Sequence, residues 1–240
     1  MRRVGILGGM GPQATVLLMQ KVIAAVPGND DADHIPLLVD QNPQVPSRIK
    51  FLVEGHGEDP APVLARMAAG LAQAGAEALA MPCNTAHYFG PAIRAAVSVP
   101  FLDMVSLSIA HARKLAEPGG TVGILASPAT RKVGLFDAAF GQANIVTVYP
   151  EDDAAMLAAI RRIKSAGPVA EARAALQAAS EELLAKGARV QMVACTEFSL
   201  IASSVAQKAE SFDTLDVLVG AIKNFALEGS AEKAGVEVTA

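Results

Sequence analysis

Two cysteines, Cys83 and Cys195, are the only thiols in this chain of 240 residues, and each closes a version of the same phrase. Residues 71–83 read LAQAGAEALAMPC and residues 183–195 read LLAKGARVQMVAC. The glycines at 75 and 187 and the cysteines at 83 and 195 keep one spacing, 112 residues. Small polar residues follow each sulfur, Asn84-Thr85 in one copy and Thr196 in the other, where Glu197 comes next. A lone cysteine is ordinarily a small buried hydrophobe. Two at equivalent points of a repeat, each beside polar residues, point instead to two thiols facing one cleft. A thiolate on one side of a substrate carbon can take a proton while a thiol on the other side returns one. That is the chemistry of racemisation without a cofactor.

Other residues could serve such a site. Asn84 and Thr85 are helix-capping types, which places Cys83 near a helix N-terminus, where a thiol pKa falls from its ordinary value of about 8.5. His87, four residues on, admits a Cys–His hydrolase pair. That spacing arises on any short helix and the second copy has no equivalent, so packing or hydrogen bonding is the better reading. The loop Gly8–Thr15 (GGMGPQAT) fits a degenerate dinucleotide fingerprint. Pro12 sits inside the turn and the acidic residue about 20 positions on is ambiguous, so holding a substrate carboxylate is preferred. In Asp40–Arg48 (DQNPQVPSR) two prolines stiffen the chain and Arg48 offers a planar fork to a carboxylate; a surface arginine is the equally supported alternative. Lys164 reads by composition as a solvated helix end.

The elements that position these residues alternate. Apolar runs at Arg3–Leu7, Ile35–Asp40, Ala78–Met81, Thr121–Leu125, Ile145–Val148 and Val190–Ala194 read as strands. Amphipathic stretches at Ala14–Val26, Pro60–Ala74, Ser106–Ala116, Met156–Ile163, Pro168–Lys186 and Thr214–Phe225 read as helices. Buried strands alternating with helices predict an α/β fold with mainly parallel sheets. A second echo, Val4-Gly5-Ile6-Leu7 and Val122-Gly123-Ile124-Leu125, leads in both copies to a small-residue loop ending in a threonine, Thr15 or Thr130. The pattern predicts two similar α/β domains related by pseudo-twofold duplication, with the active site in the cleft between them. The first half spans 1–99 plus 210–240 and carries Cys83; the second spans 100–209 and carries Cys195. The last helix is expected to pack back on the first half, and the tail Gly229–Ala240 to fray.

Composition narrows the class. The chain is 52% hydrophobic and 18% charged, with a net charge of −4 and no tryptophan. No run of Lys or Arg could track phosphates and aromatics are scarce, which argues against nucleic acid. No signal segment or membrane-length apolar run is visible, so a cytoplasmic protein with free thiols, no membrane partner and no disulfide is expected. Two cysteines and four unpaired histidines give no metal site.

Taken together, GGMGPQAT, DQNPQVPSR, MPCNTAH and ACTE resemble the aspartate/glutamate racemase family, and within it the aspartate racemase branch, over nearly the whole chain. The resemblance implies a cofactor-independent two-base racemase acting on an acidic amino acid, aspartate first, and usually a homodimer. It assigns Cys83 and Cys195 as the bases. It gives Asn84, Thr85 and Thr196 to the α-carboxylate or amino group, and Arg48 and Lys164 to the side-chain carboxylate. Met10 and Gln13 match the glycine-rich loop lining the pocket, and Ser127 and Thr130 a small-residue anion-binding loop. Glu197 stands where the glutamate branch carries histidine, which favours the aspartate side. After Val99-Pro100, Phe101-Leu102-Asp103 departs from the Phe-Ile-His of many members. The alternatives are a related dicarboxylate isomerase of the maleate type or a lyase, a non-catalytic acidic amino-acid binding module, and a redox protein cycling a Cys83–Cys195 disulfide.

Overall fold

The apolar strands decide the architecture. Val4–Gly8 and Val190–Ala194 are buried at every position, so both faces of the sheet they enter must be covered. The computed structural model describes residues 1–234. Its first half runs β1 (Val4–Gly8), α1 (Pro12–Ala25), β2 (Leu37–Gln41), α2 (Arg48–Leu52), α3 (Ala61–Gln73), β3 (Ala78–Ala80), α4 (Gly90–Ala96), β4 (Phe101–Leu102) and α5 (Met104–Leu115). The second runs β5 (Thr121–Ala126), α6 (Pro128–Lys132), α7 (Asp137–Gln142), β6 (Val146–Val148), α8 (Asp153–Ala166), α9 (Ala170–Ala185), β7 (Val190–Ala194), α10 (Thr196–Ser199), β8 (Glu210–Asp213) and α11 (Thr214–Ala234). Two four-stranded sheets form, in the orders β2-β1-β3-β4 and β6-β5-β7-β8, and every pairing is parallel. The same order drawn twice is the duplicated α/β fold the sequence predicts.

The repeated phrase does the same work in both copies. Gly75 and Gly187, at φ +94° and +84°, end α3 and α9 in the left-handed region that glycine tolerates. The next N–H then closes back, Ala76 to the Leu71 carbonyl at 3.0 Å and Ala188 to the Leu183 carbonyl at 2.9 Å. This turn lies directly on the first strand of each sheet. A Cβ on Gly5 would stand 2.9 Å from Ala76 Cβ, and one on Gly123 would stand 2.9 Å from Leu183 Cδ1. The small residue in Val-Gly-Ile-Leu is therefore a seat for the helix end that feeds each cysteine strand.

Each sheet is covered on both faces. Leu64, Leu71 and Ile93 pack with Leu7 and Leu79 on one face of the first sheet, and Leu18, Leu218 and Ile222 with Val4 and Ile6 on the other. Ile160, Leu176 and Leu183 pack with Leu125 in the second half, and Phe136 and Phe140 with Val122, Ile124 and Met192 opposite. The helix after each last strand crosses to the other half. Val105 and Ala112 of α5 join the core of the second sheet, and Leu215, Leu218 and Ile222 of α11 join that of the first. The last helix thus packs back on the first half as expected.

The sheets correct the expected domain limits. β4 pairs with β3 in the first sheet and β8 with β7 in the second. The crossings therefore follow Leu102 and Asp213 rather than residues 99 and 209. Both strands escaped the sequence reading because they are short edge strands. β4 has two residues, and Glu210 and Ser211 of β8 face solvent, so neither carries an apolar signature. The short helices α2, α4, α6, α7 and α10 were likewise unforeseen. The tail expected to fray from Gly229 continues as helix to Ala234, and residues 235–240 lie outside the described residues. No helix among the described residues is long and apolar enough to cross a membrane.

Candidate active site

β3 and β7 deliver the two cysteines to the space between the sheets. Cys83 and Cys195 are free thiols, each 7% exposed. Both line one cavity of about 70 Å³, together with Met10, Arg48, Thr85, Ser127, Lys164 and Glu197. Ser47, Ile49 and Ile160 complete the wall. Outside lies an open depression that shares Ser47, Arg48 and Lys164 with the cavity and reaches Gly11 and Gln13. Eight of the twelve candidate residues thus meet at one place, and four do not.

Three of the four exceptions have structural work. Gln13 is exposed and lines the outer depression, not the cavity. Asn84 donates through Nδ2 to Thr214 Oγ1 at 3.0 Å, and Thr214 donates to the Val193 carbonyl at 3.0 Å. Thr196 Oγ1 donates to the Pro82 carbonyl at 3.1 Å. The residue after each cysteine is therefore tied to the backbone that precedes the other one. These buried cross-braces tie together the two strand ends that carry the sulfurs. Thr130 is buried behind the wall, in a triangle with Thr85 (2.9 Å) and Ser127 (3.1 Å); Thr85 and Ser127 are 3.0 Å apart.

His87 is not a base for Cys83. The Met104 backbone N–H donates to its Nε2 at 3.1 Å, so the proton sits on Nδ1, which donates to the Cys83 carbonyl at 2.8 Å. Burial holds its pKa below the ordinary value, against the Asp103 charge. The imidazole is a neutral brace between the Cys83 backbone and the start of α5. Asp103 itself caps that helix through the Ser106 N–H at 3.0 Å and pairs with Arg94, away from the cavity.

The second half has its own version of this brace. Ser199, four residues after Cys195, donates to Asp213 Oδ1 at 2.8 Å, and the Leu215 N–H donates to the same oxygen at 2.8 Å. Asp213 Oδ2 is buried without a hydrogen-bond partner among the described residues. Burial pushes this carboxyl from 3.8 up to about 6, the two hydrogen bonds resisting. The folded protein thus binds this proton more tightly than the unfolded chain, and stability falls as pH rises from about 4 to about 6. Asp213→Asn is expected to stabilise the protein above pH 6 by on the order of 2 kcal/mol, with no gain at pH 4. Thermal denaturation of both proteins across that range checks it.

Charge in the cavity is concentrated on three side chains. Lys164 Nζ lies 3.1 Å from Glu197 Oε1, and the Cys195 thiol donates to Glu197 Oε2 at 3.1 Å. Burial would lower the Lys164 pKa, but the Glu197 carboxylate, with the two sulfurs beyond it, leaves it raised. Burial and then the Glu197 carboxylate push the Cys195 thiol well above its ordinary value, Lys164 working the other way. Arg48 Nη1 donates to the carbonyls of Val45 (3.1 Å) and Pro46 (2.7 Å), which holds the guanidinium at the wall. Ser47 caps α2, donor Lys50 N at 3.3 Å, and so sets where Arg48 starts its helix. The glycine loop earns its composition by packing: a Cβ on Gly9, at φ +91°, would stand 2.4 Å from the Asn42 carbonyl carbon. No cluster of three or more metal-ligating side chains occurs among the described residues.

Sequence reasoning missed Ser47, Ile49 and Ile160. Ile160 had a usable signal, since it precedes Lys164 by one helical turn on the same face of α8. Ser47 and Ile49 flank Arg48 and were legible only as neighbours.

A family model described as Asp/Glu/Hydantoin racemase matches residues 7–222. The chain is 24% identical over 225 residues to the broad specificity amino-acid racemase RacX of Bacillus subtilis (strain 168), covering 88% of this chain and 92% of that one. Its fold superposes on the aspartate racemase of Picrophilus torridus with a TM-score of 0.84 at 26% identity, covering 94% of each chain. The glutamate racemase of Francisella tularensis, solved with D-glutamate, shares the fold with a TM-score of 0.68 at 16% identity, covering 95% of this chain and 82% of that one.

Proposed function

Because the chain belongs to the Asp/Glu/hydantoin racemase family and is an amino-acid racemase, we propose that it racemises an acidic amino acid, aspartate first, with Cys83 and Cys195 as the two bases. The observation that carries this reading is the shared cavity: one thiol from each half, with Arg48 and Lys164 on its wall. In one direction a cysteine thiolate takes the Cα proton and becomes a thiol, while the opposite thiol gives its proton to the other face of the carbanion and becomes the thiolate. The reverse direction exchanges the roles.

The carbanion next to a carboxylate needs donors already in place. Thr85 and Ser127 line the cavity and share only three hydroxyl protons with Thr130. A bound carboxylate can draw two of them without breaking any backbone structure. The distal carboxylate is assigned to Arg48 and Lys164, whose two charges exceed the single carboxylate of Glu197. Anchoring that end places Cα between the sulfurs, and orientation of this kind lowers the barrier more than affinity does. A cavity of about 70 Å³ must widen to admit a four-carbon amino acid. The outer depression, which shares Arg48 and Lys164, is the natural route. Its openness also favours a second reading, a wider range of side chains, as in the broad specificity relative.

Reduced protein incubated in D₂O with L-aspartate, and separately with D-aspartate, without added cofactor, tests the reading. Both solutions are expected to lose optical rotation as deuterium appears at Cα. Retained rotation and protium in both, in folded protein with two free thiols, would overturn aspartate as substrate. Glutamate, maleate and neutral amino acids in the same assay separate the wider range and the isomerase from a binding module.

A further inference from the structure

The two cysteines occupy equivalent places in the repeat, yet their neighbours differ. Two residues after Cys83 stands Thr85, whose hydroxyl turns to Ser127 and Thr130. Two residues after Cys195 stands Glu197, buried to 7% exposure, whose Oε2 accepts the Cys195 thiol at 3.1 Å. Among the described residues the Cys83 sulfur has no hydrogen-bond partner. A carboxylate acceptor at that distance favours the protonated sulfur, since a thiolate there would face the carboxylate charge directly. The other charged side chains on the cavity are Lys164 from α8 and Arg48 from α2, and the Cys83 sulfur lies across the cleft. Lys164 favours a thiolate, but it is bound to the other oxygen of the same carboxylate, so the negative end of that ion pair touches Cys195.

We propose that Glu197 is a positioning residue that keeps the resting enzyme's proton on Cys195, leaving Cys83 as the base that acts first on the enantiomer it faces. This rests on the two-thiol reading of the site. Glu197 itself then supports the second half of the cycle. When Cys83 holds the abstracted proton and Cys195 has given up its own, the nearby carboxylate destabilises the Cys195 thiolate, so Cys195 takes a proton from solvent as Cys83 releases its own to solvent and the resting state returns.

Steady-state rates alone cannot reveal this asymmetry. Racemisation of free amino acids has an equilibrium constant of one, so kcat/KM must be equal for the two enantiomers in every variant. The free enzyme can be read directly. Both cysteines are 7% exposed as residues, and each rate is compared with that of the same cysteine in the Glu197 variants, so alkylation by iodoacetamide reads thiolate character at fixed access. Substrate-free protein would be pulsed with iodoacetamide between pH 6 and 9, and each cysteine peptide quantified by mass spectrometry.

Cys83 is expected to react faster than Cys195 at pH 7, by about tenfold or more. Glu197→Gln should raise the Cys195 rate by about tenfold and leave Cys83 unchanged, and Glu197→Asp should restore part of the protection. Equal rates for the two cysteines in the unaltered protein, or a Cys195 rate indifferent to Glu197→Gln, would overturn the proposal. The readout needs no substrate. A protein that shows the predicted alkylation pattern but exchanges no aspartate proton would refute the substrate reading and leave the proton assignment standing.

Discussion

Cys83→Ala and Cys195→Ala are each expected to stop the interconversion of L- and D-aspartate, lowering kcat/KM by at least about 10³-fold. The two single losses should be alike, because racemisation needs both faces of Cα. What remains should be one-sided. The variant that keeps one sulfur can still remove a proton from the enantiomer facing it and return a solvent proton to the same face. In D₂O that appears as deuterium at Cα without loss of rotation, from one enantiomer only, and the two variants should prefer opposite enantiomers. The cross-braces make the comparison clean. Asn84 and Thr196 are held by backbone carbonyls and by Thr214, none of which involves a sulfur, so an alanine at either cysteine leaves the two strand ends in register. Full racemase activity in either variant would remove the two-base assignment.

The placement of the two cysteines was legible because duplication wrote it into the chain twice, with the structural reason attached. Gly75 and Gly187 end a helix, Gly5 and Gly123 seat that end against the sheet, and the sulfur follows the strand beyond. Local geometry of this kind repeats in the sequence because each piece depends on near neighbours. The cross-braces made by Asn84 and Thr196 were not legible for the opposite reason. Their side chains are polar and small beside a cysteine, as a substrate-binding residue would be. Their partners, Thr214 and the Pro82 carbonyl, are 130 and 114 positions away. Nothing in the local pattern separates a cross-brace from a ligand.

His87 and Ser199 make the same point at the level of function. They share a place four residues after each cysteine, and each engages the segment that begins the crossover helix, one through the Met104 N–H and the other through Asp213. As residue types they have nothing in common, so the sequence hid the equivalence. Lys164 was hidden by context. On its own helix it is a basic residue in the last turn, and only the fold brings Glu197 from α10 within 3.1 Å of it.

Lys164→Ala is expected to lower kcat/KM for aspartate by about 100-fold or more, mainly through KM, and to affect alanine far less. Two consequences of the same deletion add. The distal carboxylate loses a cation, and Glu197 keeps its charge at the cavity wall with its ion pair gone. The unpaired carboxylate then repels the part of the substrate that Lys164 had attracted. Alanine has no distal carboxylate and meets only the second, weaker effect on the cysteine beside it. The two contributions are separable in a double-mutant cycle with Glu197→Gln, since contacting residues couple. Removing both charges should recover part of the loss in aspartate KM relative to Lys164→Ala alone. Arg48→Ala should also raise KM for aspartate more than for alanine, but its Nη1 holds the Val45 and Pro46 carbonyls, so some of its cost falls on every substrate. An equal loss for aspartate and alanine in Lys164→Ala would take the distal carboxylate away from this lysine. Lys164 would then serve only to balance Glu197, and the acidic selectivity of the site would rest on Arg48.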